Sequence, residues 1–410
     1  MTWSLYIRLA WRNVLRNKRR TLIAGTAVAF GLAALMFVDA INLSMTKNMV
    51  DSATGSFLGE GEISRTGFRK SFEVEFTVND LPSVLAELKN DQRVTHFTPR
   101  VMTFGMLASP ANNCAIQLVG VDPSTEKYLS EMDDKLVKGK YFAGNDQHDI
   151  VIGSKLADLL EVGLGDRVVV TAAQAHTGDL AQEMFRVSGI YFFDADELDK
   201  GMALIRIDQA QKMLNLDSQV SMIALDFHDR DIGRRPGDPF WAQYSKDGNE
   251  AIGWAELVPQ LEKVFRLSKI SQILVTVILF GVVALGIVNT LFMSLYERMF
   301  EFGVMRAVGT RPFSMGRLVV FEALSMAVIS SVLGCVLGAA LLGLTNFTGI
   351  DYSGIEYGGI TFTKALYPIW SVHQFTLYPL LFLVFAAVIA LYPAIYAARL
   401  TPAQAMRKSF

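Results

Sequence analysis

Four apolar runs dictate most of what this 410-residue chain can become. They lie at residues 21–38, 270–296, 318–344 and 375–397. A helix needs about 20 apolar residues to cross a bilayer. The last three runs meet that length, and the first does so if it continues past Asp39 to about Ser44. The runs are unevenly placed: three crowd into the C-terminal part, and the first stands alone near the N-terminus. The expected organisation is therefore one span in residues 1–44, a large domain in residues 45–267, and three spans in residues 268–410.

Composition agrees with a mixed protein. Hydrophobic residues make up 51% and charged residues 19% of the chain, with a mean hydropathy of +0.31. That is apolar for a soluble protein and too charged for a bare membrane bundle. A formal net charge of -2 argues against a general nucleic-acid binder. Two cysteines, Cys114 and Cys335, make no disulfide framework and are expected to be free thiols.

The N-terminal arm carries Arg8, Arg12, Arg16, Lys18, Arg19 and Arg20. A signal peptide also begins with charge, but the run that follows is long for one. Met36-Phe37-Val38-Asp39 also lacks a small-x-small cleavage site, so an uncleaved span is expected. Residues 3–17 place Leu5, Leu9 and Arg8, Arg12, Arg16 at helical intervals, the pattern of a basic amphipathic helix at the membrane surface. Asp39, near the outer end of the span, is expected to reach the interface.

Between the spans the texture changes. Residues 72–78 (FEVEFTV) alternate at period two, as do residues 168–171 after a Gly-Leu-Gly-Asp turn. Residues 102–108, 115–121, 149–152, 185–190, 203–207 and 222–227 also read as strands. Residues 81–89, 154–160, 208–214 and 257–266 read as helices, with Pro82 in a first turn and Asp208 as an N-cap. Residues 231–253, rich in glycine and proline, read as a loop or insertion. The sum is an α+β domain large enough to bury its own core.

Lysine and arginine bias sets the orientation. The N-terminal arm is basic. The segment between the second and third runs carries Arg298, Arg306, Arg311 and Arg317, and the tail carries Arg399, Arg407 and Lys408. The 346–374 loop holds only Lys364. Both termini and the 297–317 segment are thus expected in the cytoplasm, with the large domain and the 346–374 loop outside.

That cytoplasmic segment, ERMFEFGVMRAVGTRP, is the candidate site. A helix is expected over residues 297–308, ended by Gly309 and Pro312. Phe300, Val304 and Val308 would share one stripe, and Arg298 and Glu301 lie three apart and can pair. Within the third run, Gly334-x-x-x-Gly338 permits close helix contact.

Other chemistry is missing. No Walker A pattern, His-Glu-x-x-His or paired Cys-x-x-Cys occurs. His96, His148, His176, His228 and His373 are scattered, and Gly153-Ser154-Lys155 is no nucleophile elbow. Asp39 and Glu322 are the only acids near membrane depth, which disfavours an ion-coupled transporter. An energy source must come from elsewhere.

The pattern resembles the FtsX/MacB-type (type VII) ABC transporter permease superfamily. The residues that carry the resemblance are Glu297-Arg298, Glu301-Phe-Gly303-Val-Met305-Arg306-Ala307-Val-Gly309 and Glu322. Further matches are Ala10-Trp11-Arg12-Asn13 at the start and Tyr392-Pro393-Ala394 through Pro402 and Arg407 at the end. In the outer domain, Val119-Gly-Val-Asp-Pro123, Ile150-Val-Ile-Gly153, Gly165-Asp166 and Val187-Ser-Gly-Ile190 fit a MacB-type periplasmic core. Trp254-Ala-Glu-Leu-Val-Pro259 looks like the lipoprotein-releasing Lol permeases.

The resemblance implies a four-span helical permease with an α+β periplasmic domain, in a bacterial inner membrane. It implies a transporter subunit with no nucleotide-binding domain and no cofactor of its own. ATP and Mg would be bound by two partner ATPase subunits docked on a coupling helix at residues 297–309, through Glu297, Arg298, Glu301, Gly303, Arg306 and Gly309. A second permease, copy or paralogue, and membrane lipids complete the partners. The work would be mechanotransmission that releases lipoprotein or other lipid-linked cargo. The alternatives are efflux of a drug or peptide, regulation of a cell-wall hydrolase, or a membrane sensor with no ATPase.

Overall fold

The computed structural model describes residues 3–16, 18–142, 147–352, 356–357, 360–361 and 365–401. The chain divides into two units, one formed by Met1–Thr46, Phe265–Tyr352 and Lys364–Phe410, the other by Lys47–Val264 with Ser353–Thr363. The tail motif from Pro402 to Lys408, and with it part of the resemblance, lies outside the described residues, as does Lys364.

The first unit is helical. Helix α1 covers Trp3–Arg16 and α2 covers Lys18–Ala53, whose last residues and the π-helical turn that follows at Thr54–Leu58 are counted with the second unit. Helix α3 (Pro259–Glu297), the short α4 (Met299–Ala307), α5 (Pro312–Thr348) and α6 (Val372–Arg399) complete the set. Helices α2, α3, α5 and α6 are long and apolar enough to cross a membrane, and each contains one of the four apolar runs. Each overshoots its run, because a helix stops where capping chemistry stops it and not where hydropathy falls. Helix α6, for example, starts at a capping box in which Ser371 and Gln374 bond reciprocally. The separate helix expected at residues 257–266 is not formed. A short turn, Trp254–Leu257, ends at Val258, and Pro259 opens the long α3.

Helix packing depends on small residues. A Cβ on Gly334 would lie 2.9 Å from Leu32 Cδ2, and one on Gly338 would lie 3.0 Å from Met36 Sδ, so α5 meets α2 through its glycine face. Leu32 and Met36 join Val283, Ile287, Phe382, Ala386 and Ala390 in one buried cluster. Asp39 does not simply face the interface. It is half-buried, accepting a 2.9 Å hydrogen bond from Tyr378 and another from Gln272, which ties α2, α3 and α6 together. Sequence reasoning missed this because the two partners are unremarkable polar residues far away in the chain.

Helix α1 forms as expected, but its buried stripe is Tyr6, Ala10 and Val14. Tyr6 stacks on Phe321 of α5 at 6.1 Å, and Leu9 is only half-buried. The expected lipid-facing side is therefore in part a protein contact.

Among the described residues, the main sheet of the second unit has ten strands: β1 Gly61–Arg65, β2 Val94–Ala108, β3 Asn113–Val121, β4 Leu136–Gly139, β5 Asp149–Gly153, β6 Arg167–Ala173, β7 Leu180–Tyr191, β8 Met202–Arg206, β9 Met222–Phe227 and β10 Asn249–Gly253. Their order is β10-β1-β9-β2-β3-β8-β5-β7-β4, and β6 pairs with both β2 and β7. The pairings β2–β3–β8–β5–β7–β6 thus close on themselves, like a small barrel filled by side chains. Leu107, Ile116, Ile152, Val170, Phe185 and Ile205 belong to its core, with Leu156, Leu160, Ala210 and Leu214 from helices Ser154–Leu160 and Ile207–Leu214.

Two sequence expectations fail here for one reason. Residues 72–78 are not a strand. Phe72 is left-handed (φ 52), Phe76 N–H bonds Glu73 in a turn, and Val74 and Val78 dip into the core four residues apart. The places beside β1 are taken by β9 and by β10, and β10 comes from the segment expected to be a loop. That same segment also forms helix Pro239–Tyr244, capped by Asp238 and burying Phe240, Trp241 and Tyr244. Residues with period-two alternation lost the sheet edge to a glycine-rich segment of better fit. Asp208 is likewise not an N-cap: Arg206 holds that place, and Asp208 sits in the first turn, where its charge suits the helix dipole.

Within the second unit, a buried arginine ties the Thr54–Leu58 turn to the sheet. Arg100 of β2 makes bonds of 2.9 and 2.6 Å to the two carboxylate oxygens of Glu126. Its third nitrogen donates to the Phe57 carbonyl at 2.6 Å, and its guanidinium lies 4.0 Å from the centre of the Phe57 ring. Both side chains are fully buried, so a lone partner would be an uncompensated charge. Arg100→Met should destabilise this unit by about 3–5 kcal/mol, and Arg100→Met with Glu126→Leu should recover most of that loss. Urea unfolding of the full chain in detergent, read from the buried Trp241 and Trp254, checks it.

Candidate functional site

The site is built around α4. Helix α3 runs on through Glu297, so the expected 297–308 helix starts two residues late. Arg298 (φ −110, ψ 17) breaks the path and caps Met299–Ala307. The other end follows the sequence. Gly309 takes φ +98, a conformation that side chains rarely allow, and Thr310 N–H bonds Met305 at 3.0 Å to close the last turn. Arg306 reinforces this end by donating to the Thr310 carbonyl at 3.2 Å. Pro312 then opens α5.

Helix α4 has two unlike faces. Met299, Phe302 and Gly303 are buried, the first two in a cluster with Leu295, Met315, Leu318 and Val319 from the flanking helices. The expected stripe of Phe300, Val304 and Val308 is the opposite one. These residues are 54%, 41% and 84% exposed, so among the described residues the stripe is largely uncovered.

A chain of charges explains why the helix sits this way up. Arg298 is buried and donates to Glu322 of α5 at 3.1 Å and to Glu301 at 2.9 Å. Glu322, also buried, takes a 2.8 Å hydrogen bond from Ser294 on its other oxygen. Glu301 takes a further 2.9 Å bond from Arg16 of α1. The order Arg16–Glu301–Arg298–Glu322–Ser294 leads from an exposed arginine to a carboxylate inside a span. Burial alone would raise the Glu301 carboxyl, but the hydrogen bonds from Arg298 and then Arg16 outweigh it and hold it below the usual range.

The sequence-derived site residues therefore divide. Glu301 and Arg298 pair as their spacing suggested. Arg298 turns inward and Arg306 folds onto its own helix end. Glu297 and Glu301 remain on the exposed side, Gly303 is packed inside, and Gly309 forms the turn. Arg16 and Ser294 were missed. A buried acid such as Glu322 in an apolar run does call for a partner nearby, and that was the available signal.

A second cluster lies in the outer unit. Glu60, Asp226, Arg230, Lys127, Glu131 and Asp134 line a cavity of about 210 Å³ beside the Thr54–Leu58 turn. Arg230 bridges Glu60 at 2.9 Å and Asp51, and Glu60 accepts from Phe227 N–H at 2.9 Å. Burial, helped by the negative charge of Asp226, pushes Glu60 up to about 7 against the opposing pull of the Phe227 amide and Arg230.

Four spans, a sheet domain between the first and second, and a short helix anchored by charge between the second and third define an ABC transporter permease subunit. Residues 21–231 match the MacB-like periplasmic core domain, and residues 273–402 match the FtsX-like permease C-terminal region. The chain belongs to this family of permeases, inner-membrane proteins with a periplasmic domain that work with an ATPase partner.

Among its relatives is the lipoprotein-releasing system transmembrane protein LolC of Neisseria meningitidis, 22% identical over 341 residues, covering 80% of each chain. LolC of Xylella fastidiosa is 22% identical over 349 residues, covering 80% of this chain and 82% of the relative. LolE of Haemophilus influenzae is 23% identical over 285 residues, 68% of each. The periplasmic region of MacB from Actinobacillus actinomycetemcomitans is a similar solved structure, with 14% identity and a TM-score of 0.34. That match covers 49% of this chain and 92% of the MacB region.

Glu60 supplies a pH test. Its folded pKa is raised from 4.5 to about 7, so its stabilising contribution is complete below about pH 4.5 and is lost as pH rises through 7. Glu60→Gln should flatten the stability of the outer unit across that window, removing a decline on the order of 3 kcal/mol. Urea midpoints of the two proteins at pH 4.5 and pH 8 measure it.

Proposed function

We propose that this chain converts ATP hydrolysis by a separate ATPase pair into movement of its periplasmic domain, and that the movement releases a lipoprotein or other lipid-linked cargo from the membrane. The observation that carries the reading is α4: an apolar stripe turned outward on a helix whose inner face is tied by Arg298–Glu322 into a span. An ATPase that grips the stripe pulls on the span through that pair.

In this reading the contact is made by Phe300, Val304 and Val308 with Glu297 and Glu301 at the rim. Arg298 and Arg306 serve inside the chain. Excess lysine and arginine beside the spans supports placing α4 and both termini in the cytoplasm. A second permease finds room on α3, whose apolar window is only 11% buried against 33–39% in the other spans. Lipid-linked cargo is favoured by two things: the likeness to lipoprotein-releasing relatives, and the engagement of Asp39 and Glu322, the carboxylates of the spans, in bonded clusters between helices.

Two measurements test the reading. Val304→Glu together with Phe300→Ala should weaken ATPase capture in membrane pull-downs by about tenfold or more, as loss of central apolar anchors does at other interfaces. Unchanged capture would remove α4 as the docking element. Separately, the complex in lipid discs should hydrolyse ATP faster when lipidated protein is present. Stimulation by a soluble drug or peptide, or by a cell-wall hydrolase, would reassign the cargo while leaving the docking intact.

A further inference from the structure

Helix α1 has three sides. Tyr6, Ala10 and Val14 are packed inside the membrane unit. Around the helix from them come Ile7 and Trp11, which are 52% and 44% exposed. Beyond these lie Arg8 and Arg12, also exposed, and then Arg16, which is bridged to Glu301. A helix that only needed to pack on protein would have no use for an exposed tryptophan flanked by arginines. Two residues after α1 ends at Arg16, the chain begins α2, and the first span opens at Thr21. Helix α1 is therefore held close to the polar boundary of the bilayer, where indole rings and arginines find both apolar and phosphate partners.

We infer that the Ile7/Trp11 and Arg8/Arg12 faces of α1 form a binding surface for anionic phospholipid, with the apolar pair in the acyl boundary and the arginines on headgroup phosphates. Arginine suits this better than lysine, because its fork engages phosphate oxygens in pairs. Charge complementarity selects the occupant: two exposed arginines beside an interfacial tryptophan suit a lipid of net negative charge over a zwitterionic one, whose phosphate is offset by its own ammonium. Arg16 extends the same basic row to Glu301, so the lipid surface is continuous with the coupling site. The inference concerns lipid alone and needs no ATPase, so it stands or falls independently of the docking role given to α4.

The test uses the full chain in phosphatidylcholine nanodiscs titrated with brominated phosphatidylglycerol or brominated phosphatidylcholine. The Trp11 signal is the difference in fluorescence quenching between the wild type and Trp11→Phe. Half-quenching of Trp11 is expected at an about tenfold lower fraction of brominated phosphatidylglycerol than of brominated phosphatidylcholine, given the attraction of two surface arginines. Arg8→Gln with Arg12→Gln should bring the two curves together, and Arg8→Lys with Arg12→Lys, which controls for folding, should keep most of the separation. Added inorganic phosphate should leave the separation in place. Equal quenching by both lipids in the wild type, a separation that survives the glutamine pair, or one erased by inorganic phosphate would each overturn the inference. So would absence of Trp11 quenching by either lipid, since protein would then cover the stripe.

Discussion

The ion pair between Arg298 and Glu322 decides which way α4 faces. Both groups are buried, and taking two charges out of water costs more than most surface contacts return. The arrangement is tolerable because every neighbour completes it: Ser294 on one side, Glu301 and then Arg16 on the other. Once Arg298 is committed inward, Met299, Phe302 and Gly303 must follow it inside, and Phe300, Val304 and Val308 must point out. The outward apolar stripe is thus a consequence of a charge placed inward.

The outer unit uses the same device at its root. Arg100 locks Glu126 and the Phe57 carbonyl together, so the π-helical turn after α2 is bonded to the longest strand of the domain. Strand β2 pairs with β9 along its first half and with β3 and β6 along its second, which makes it common to the open sheet and the closed ring. Arg230 also spans Asp51 and Glu60 on either side of the Thr54–Leu58 turn in sequence, where a carboxyl raised toward neutrality by burial makes the pairing sensitive to pH.

Much of this was legible in the chain because its signals are local. Twenty apolar residues in a row, a glycine and a proline after an amphipathic stretch, and Gly-x-x-x-Gly each act over one or two helical turns. Gly334 and Gly338 do meet Leu32 and Met36 at close range. The misreadings share another origin. Residues 72–78 had the right alternation but turn into the core instead of pairing, whereas residues 249–253 had a poor pattern and the right place beside β1. Asp39 looked solvated because nothing nearby in sequence could bond it; Gln272 and Tyr378 come from helices hundreds of residues later.

The sequence by itself determined that four segments enter a membrane, that a mixed domain separates the first two, and that a short charged helix lies between the second and third. Hydropathy and capping settle these, since each is a property of neighbouring residues. Which side of that helix is open, which acid neutralises which arginine, and which strand closes the ring were decided only by tertiary structure. Desolvation and pairing depend on what the fold brings alongside, and those partners lie far apart along the chain.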